Sequence, residues 1–373
     1  MPAASQSRIA PLDLLRGLVM VLMAVDHSSD AFNAGRLFTD SAFMYKPGDP
    51  LPLAQFLTRF ITHLCAPTFL FLAGTGLAFT LERRLAQSWW AAARYVLTRG
   101  LLIASFELWI SWFVMPKGVW LCQVLYAIGI SYCLMIPFLR LSARAALALG
   151  LCLVAFGEAL VGLSVYASGG PEHVPLALQL LLVGGRRPAL IIAYPVLHWF
   201  GLLLLGFAWG KQLLASPAWL AAIKRHALLG AAGCLVVFGV VRSLNGYGNM
   251  LLPHFDNSLA QWLHVSKYPP SIAYVSLELA LMGLALSLLC ALCERGAPAK
   301  NQLLLVLGQT PLFFYLLHFP LLVGSAKLLD IEHHYGVGSA YLGAAIVIAL
   351  LYPACRAYRT YKTAHPRALT RYV

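Results

Sequence analysis

Long apolar segments alternate with short polar segments along most of this chain. A helix that crosses a lipid bilayer needs about 20 mainly apolar residues, and about ten segments reach that length. They are residues 11–31, 56–81, 95–115, 119–139, 144–166, 189–210, 226–244, 271–293, 302–323 and 338–356. This pattern predicts an all-α fold, a polytopic integral membrane bundle of about ten transmembrane helices.

Basic residues gather in alternate gaps between these segments, and the positive-inside rule assigns such gaps to the cytoplasm. The basic residues of this set are Arg8, Arg83, Arg84, Arg94, Arg140, Arg144, Lys211, Lys224, Arg225, Arg295, Lys300, Arg356, Arg359, Lys362, Arg367 and Arg371. The opposite gaps are more acidic, with Arg186 and Arg187 as the main exception. Because an even number of spans returns the chain to its starting side, the sequence predicts that both termini are cytoplasmic.

Composition supports a lipid environment. Hydrophobic residues make up 60% of the 373 residues and charged residues only 11%, whereas about a quarter of a soluble protein is charged. The net charge of +13 would suit a nucleic-acid binder, but its distribution in short clusters between apolar segments is typical of membrane orientation instead. We therefore expect the lipid bilayer, and no nucleic acid, as a partner.

Ionisable residues inside spans are costly, so they are the first functional candidates. Arg16 and His27 are about three helical turns apart in the first span, on one face and about 16 Å apart along the axis. Arg16 would lie near the cytoplasmic end and His27 near the other end, with Asp26 beside it. The alternative is structural: Arg16 would reach the lipid phosphates and His27 would cap the helix in the interface.

His63 and His318 are predicted at a similar depth to His27, each in a different span. A histidine can take a proton from a hydroxyl or amine near neutral pH, and a neighbouring carboxylate can orient it. A lone histidine in an apolar helix is more often a buried packing residue, so this alternative stays open for each. The spacing matches neither HxxxH nor HExxH, so we expect no metal.

Other charged residues have two interpretations each. Arg99 and Glu107 in the third span would contact substrate or form a buried ion pair with other helices. Lys267 and Tyr268 precede two prolines, and they would line a polar substrate site or form a plain turn. No Walker A, GxGxxG or GxSxG motif is present, which argues against ATP-driven transport and soluble-type cofactor chemistry.

Several segments resemble one family. These are LDLLRGLVMVLMAVDH, TRFITHLCAPTFLFLAGTG, TRGLLIASFELWI, VLYAIG, AYPVLHWFGLLLLGFAWG, SKYPPSIAY and LGQTPLFFYLLHF. Together they are similar to the heparan-α-glucosaminide N-acetyltransferase catalytic-domain family of transmembrane acyltransferases. The resemblance runs in order over residues 8–320, within a single transmembrane domain over residues 1–373.

The resemblance implies transfer of an acetyl or other acyl group from cytoplasmic acetyl-CoA to an amino sugar or other glycan on the far side. It implies that Arg16, Arg99 and the pair Arg83 and Arg84 contact the coenzyme A phosphates. The catalytic residue would be His27 or His63. Asp26 would assist it.

The remaining candidates would bind the acceptor: His318, Lys267, Tyr268 and Glu107. We expect a multi-pass protein of a bacterial cytoplasmic membrane, and a homodimer stays open. The alternative function is a proton-coupled small-molecule transporter or permease, in which the histidines and Glu107 would relay protons.

Overall fold

The computed structural model describes residues 9–365 of the chain. Arg8, Arg367 and Arg371, members of the basic set above, lie outside these described residues. The described chain is mostly helical. Its α-helices are α1 (Ala10–Phe32), α2 (Leu53–Thr62), α3 (Cys65–Leu85), α4 (Trp89–Val114), α5 (Val124–Leu134), α6 (Ala143–Ala167), α7 (Leu176–Leu178), α8 (Val196–Ala215), α9 (Pro217–Ala221), α10 (Ile223–Leu244), α11 (Leu259–Leu263), α12 (Ile272–Arg295), α13 (Leu303–Gln309), α14 (Pro311–Leu328) and α15 (Gly338–Ala364).

Within residues 9–365, seven helical segments are long and apolar enough to cross a membrane. They are Leu53–Leu85, which combines α2 and α3, together with α4, α6, α10, α12, α14 and α15. The predicted spans 11–31 and 189–210 are also largely helical, as α1 and α8, although they fall outside these seven. The α-helix in the predicted span 119–139 is α5, which is too short to cross a membrane.

A small three-stranded sheet departs from the all-α prediction. Strand β1 (Trp120–Cys122) pairs in parallel with β3 (Leu190–Ile192), and β2 (Gly185–Arg187) pairs antiparallel with β3. The prediction was wrong here, because it assigned β1 and β3 to the beginnings of two helical spans. A short apolar run is compatible with strand or helix, and the partner strand lies far along the chain.

Helix α1 lies among the other helices and packs against α2, α3, α12, α13, α14 and α15. Its contact with α13 is a backbone contact, because a Cβ atom at Gly17 would collide with Leu304 and one at Gly308 would collide with Asp13. Small residues allow this close approach at helix contacts in membranes. Since α14 follows α13 after Thr310, the contact brings α1 beside α14.

Candidate active site between two cavities

Two cavities lie inside the helical bundle. One, of about 950 Å³, is lined by His27, Asp26 and Lys267 among others, and we call it the His27 cavity. The other, of about 460 Å³, is lined by Arg16 and Arg99 among others, and we call it the Arg16 cavity. Four residues line both: Met23, Phe69, Val124 and Tyr315. The cavities therefore meet at these four side chains.

His27 and His318 form a direct side-chain pair. His27 Nδ1 lies 2.9 Å from His318 Nε2, and the two rings are stacked with centroids 5.0 Å apart. The Phe319 ring also stacks on the His27 ring, with centroids 3.7 Å apart. The structure thus brings together two of the three histidines that the sequence predicted at similar depth.

The hydrogen bonds define which nitrogen of each ring carries the proton. His318 Nδ1 lies 2.9 Å from the Phe314 carbonyl oxygen, which can only accept, so His318 Nδ1 carries hydrogen. In a neutral ring, His318 Nε2 is then an acceptor, and His27 Nδ1 must donate to it. The Nε2 atom of His27 is left with a lone pair, on a side chain that lines the His27 cavity.

Helix α14, which carries His318, contains Pro320 in its interior. Proline has no backbone N–H, so the carbonyl group four residues earlier loses its helical donor. That carbonyl belongs to Leu316, and the Trp109 indole Nε1–H donates to it at 3.0 Å. The contact replaces the lost hydrogen bond and ties α14 to α4.

An ion cluster forms one wall of the His27 cavity. Arg59 donates to Asp26 at 2.7 Å and to Asp40 at 2.6 Å. Arg36 also lies 3.1 Å from Asp26 and 3.2 Å from Asp30. Arg59 is 7% exposed and Asp40 3%. Asp26, predicted as a catalytic assistant, is thus held by two guanidinium groups.

His63 directly follows the last residue of α2 and lies beside the same ion cluster. Its Nε2 atom is 3.2 Å from Asp40, and both ring nitrogens are shielded from solvent. His63 is not among the residues lining either cavity.

Lys267 and Tyr268 line the His27 cavity. The Lys267 ammonium lies 5.3 Å from the centre of the Tyr268 ring, and Arg59 donates to the Tyr268 hydroxyl at 3.3 Å. Among residues 9–365, no carboxylate lies within ion-pair distance of Lys267; Asp26 and Asp40 pair with arginines instead. Lys267 therefore offers a cation to whatever occupies this cavity.

Asp40 lies in the connection between α1 and α2. Burial alone would raise the pKa of its carboxyl group, but Arg59 and then His63 lower that pKa well below its usual range. Because the folded-state pKa is depressed, the resulting stabilisation is fully present above the unfolded pKa of about 3.9. It is lost as the pH falls below that value.

This linkage predicts an acid-side loss of stability that depends on Asp40. We expect the unfolding temperature of the detergent-solubilised protein to fall below about pH 4, because the Asp40 carboxylate then takes up a proton in the unfolded chain while it stays ionised in the folded protein. Asp40→Asn should start from a lower unfolding temperature and show a smaller further fall in acid. Thermal unfolding followed by circular dichroism at several pH values measures both. An acid-side fall of equal size in Asp40→Asn would contradict the assignment.

The Arg16 cavity is rich in basic side chains: Arg16, Arg99 and Lys362. Arg16 donates to Asp13 at 2.6 Å. Arg99 donates to the Tyr95 hydroxyl at 2.9 Å, while its Nε atom is buried without a hydrogen-bond partner. The cavity therefore has a net positive lining that suits phosphate groups.

The other predicted site residues lie outside the cavity linings. Arg84 stacks on the Tyr95 ring, 3.7 Å from its centre, and is linked through Tyr95 to Arg99. Arg83 is exposed in the last turn of α3. Glu107 accepts a hydrogen bond from the Tyr126 backbone N–H at 2.9 Å. This places its carboxylate at the N-terminus of α5, a favourable position for a negative charge.

Arg59 and Tyr315 are among the residues of the site that were not predicted from the sequence. Arg59 is an arginine inside the apolar segment 56–81, and that cost is the signal by which it could have been found. Tyr315 carries no such signal, because a tyrosine is ordinary in an apolar helix.

Among residues 9–365, no group of three potential metal ligands occurs, and the absence of a metal stays a prediction.

Several helices that are long and apolar enough to cross a membrane, packed around a charged cavity, define this chain as a multi-pass membrane protein. Residues 8–247 match the family described as heparan-alpha-glucosaminide N-acetyltransferase, catalytic. The match covers more than half of the chain, and the chain belongs to this family of membrane acyltransferases. No protein with a curated description matches it. Lys267, Tyr268 and His318 lie beyond the matched residues.

Proposed function

We propose that this protein transfers an acetyl group from acetyl-CoA, bound in the Arg16 cavity, to the amine of an amino sugar or glycan in the His27 cavity. The observation that carries the proposal is the meeting of the two cavities at Met23, Phe69, Val124 and Tyr315. A donor and an acceptor can approach from opposite ends of α1 and meet beside His27.

The donor assignment rests on charge. Coenzyme A carries phosphates, which arginine recognises through several donors and lysine as a point charge. Arg16, Arg99 and Lys362 supply such donors in one cavity, and Arg84 extends this basic side through Tyr95. The apolar side chains Met23 and Phe69 at the junction suit the acetyl thioester end of the same ligand.

The acceptor assignment rests on size and polar lining. A volume of about 950 Å³ lies at the upper end of the range for small-molecule sites, about 300–1,000 Å³. The lining can form hydrogen bonds with the hydroxyl groups of a sugar through three side chains, Asp26, Lys267 and Tyr268.

His27 is the proposed general base. Its Nε2 lone pair takes a proton from the acceptor amine as the amine nitrogen attacks the thioester carbonyl carbon. The C–N bond forms, the C–S bond breaks, and His27 returns the proton to the leaving sulfur of coenzyme A. His318 positions the His27 ring. We assign the base to His27 rather than His63 because both His63 nitrogens are shielded from solvent and His63 lines neither cavity.

The proposal includes a topology. Each of the predicted spans, about ten in number, would cross the bilayer, and both termini would lie in the cytoplasm. The Arg16 cavity, at the beginning of α1, then opens toward cytoplasmic acetyl-CoA, and the acceptor comes from the other side. We place the protein in a bacterial cytoplasmic membrane. Because one chain lines both cavities, a homodimer is not needed to complete the site.

Purified protein in detergent, given acetyl-CoA and a panel of amino sugars, tests the function. We expect acceptor-dependent release of free coenzyme A thiol and formation of the N-acetyl sugar, detected by mass spectrometry. Acetyl-CoA binding is measured separately by calorimetry. No transfer to any acceptor, together with no acetyl-CoA binding, would contradict the proposal. Proton-driven uptake of a solute into vesicles without acetyl transfer would favour the permease.

The donor cavity yields a separate prediction. Arg16→Gln and Arg99→Gln should each weaken acetyl-CoA binding about 10–100-fold, because each loses a hydrogen bond to a charged group worth about 1.5–3 kcal/mol. Calorimetric titration with acetyl-CoA measures the dissociation constants. Arg83→Gln is the matched control, since Arg83 is exposed on the same side and lines neither cavity. Equal effects of all three substitutions would contradict the assignment of the donor cavity.

A further inference from the structure

Tyr315 stands out among the buried polar groups of the bundle. Its side chain is 4% exposed, and its hydroxyl group has no hydrogen-bond partner. Such a group is costly to bury, so its retention calls for an explanation. Of the described residues with a buried polar atom lacking a partner, Tyr315 alone lines both cavities.

Tyr315 also lies beside the proposed base. Its ring centre is 5.9 Å from that of His27 and 5.6 Å from that of His318, edge to face in both contacts. Tyr315 precedes His318 by about one turn of α14. The hydroxyl and the base therefore belong to one local arrangement at the junction of the cavities.

We propose that the Tyr315 hydroxyl donates a hydrogen bond to the carbonyl oxygen of the donor thioester and stabilises the oxyanion formed during transfer. This inference rests on the proposed acetyltransferase function. A phenol is protonated at neutral pH and can donate. A donor held ready where negative charge develops, in a site shielded from water, is the usual means of stabilising an acyl-transfer intermediate.

Attack of the amine nitrogen on the carbonyl carbon moves the C=O π electrons to oxygen, which accepts the hydrogen bond from Tyr315. His27 Nε2 takes the amine proton. When the C=O bond reforms, the C–S bond breaks, the sulfur receives the proton from His27, and Tyr315 keeps its own proton throughout.

Another residue at the junction of the cavities has an adaptable side chain. Met23 also lines both cavities, and it is one helical turn before His27 on α1. Methionine is unbranched and adapts readily to a new neighbour. Its displacement by the thioester would bring the carbonyl group to Tyr315.

Tyr315→Phe tests the inference. We expect kcat to fall about 10²–10³-fold, the usual cost of removing one oxyanion donor, while the KM for acetyl-CoA changes little. The unfolding temperature should be unchanged or higher, because the substitution removes an unpartnered polar atom. Tyr358→Phe is the matched control: its hydroxyl is also buried without a partner, but Tyr358 lines neither cavity. It should keep wild-type turnover.

A spectroscopic measurement tests the same hydrogen bond without requiring turnover. The infrared band of a ¹³C-labelled thioester carbonyl should move to lower frequency when acetyl-CoA binds, and the shift should be smaller in Tyr315→Phe. Wild-type transfer with undiminished kcat in Tyr315→Phe, an equal loss in Tyr358→Phe, or an unshifted carbonyl band would overturn the role of Tyr315 alone. Absence of transfer by the wild type would overturn the proposed function and this inference together.

Discussion

His27→Ala is expected to lower kcat about 10²–10⁴-fold, the usual contribution of a general base, and to leave acetyl-CoA binding close to wild type. The reason is the hydrogen-bond chain from His27 Nδ1 through His318 to the Phe314 carbonyl. It leaves His27 Nε2 as a proton acceptor on a side chain that lines the larger cavity. Steady-state release of coenzyme A and calorimetric binding of acetyl-CoA measure the two quantities.

The control is His226→Gln, because His226 stacks on Trp219 and lines neither cavity. It should retain full turnover. His318→Phe should lower kcat less than His27→Ala and alter the pH profile of kcat/KM, since His27 would lose the acceptor of its Nδ1 proton. Full activity of His27→Ala with loss of activity in His63→Ala would move the base to His63.

Arg59→Met is expected to give the largest loss of stability. Arg59 hydrogen-bonds both Asp26 and Asp40 in a buried setting, so its removal leaves carboxylates that have lost their shared cation. Breaking a buried ion pair by removing one partner costs about 3–5 kcal/mol. Reversible denaturation in mixed micelles measures the free energy of unfolding.

The comparison is Lys224→Met, which breaks the exposed Lys224–Glu294 pair of 2.7 Å and should cost about 1 kcal/mol or less. Neutralising Asp26 and Asp40 to asparagine in the Arg59→Met background should recover part of the loss, because the two carboxylates that lost Arg59 are then uncharged. An Arg59→Met protein as stable as the wild type would contradict the role of the cluster.

Two features of the structure could not be predicted from the sequence, for different reasons. Trp120–Cys122 is a short apolar run, and nothing local distinguishes the strand it forms from the start of a helix. Its partner Leu190–Ile192 makes it a strand. Tyr315 has no cue at all in the sequence, because its interest comes from two cavities that exist only once α1, α3, α5 and α14 are packed.

The sequence by itself predicted a mostly helical membrane architecture, since the cost of unsatisfied backbone groups in lipid favours a helix over most of a long apolar segment. It also predicted a depth in the membrane for each ionisable residue of a span, because a helix rises by a constant amount per residue. Depth does not say which faces of different helices meet. Only the tertiary structure decided that His27 pairs with His318, that His63 turns to Asp40, and that Arg59 joins Asp26 to Asp40. These pairings follow from close contacts such as that of Gly17 with Leu304, which set how one helix rotates against another.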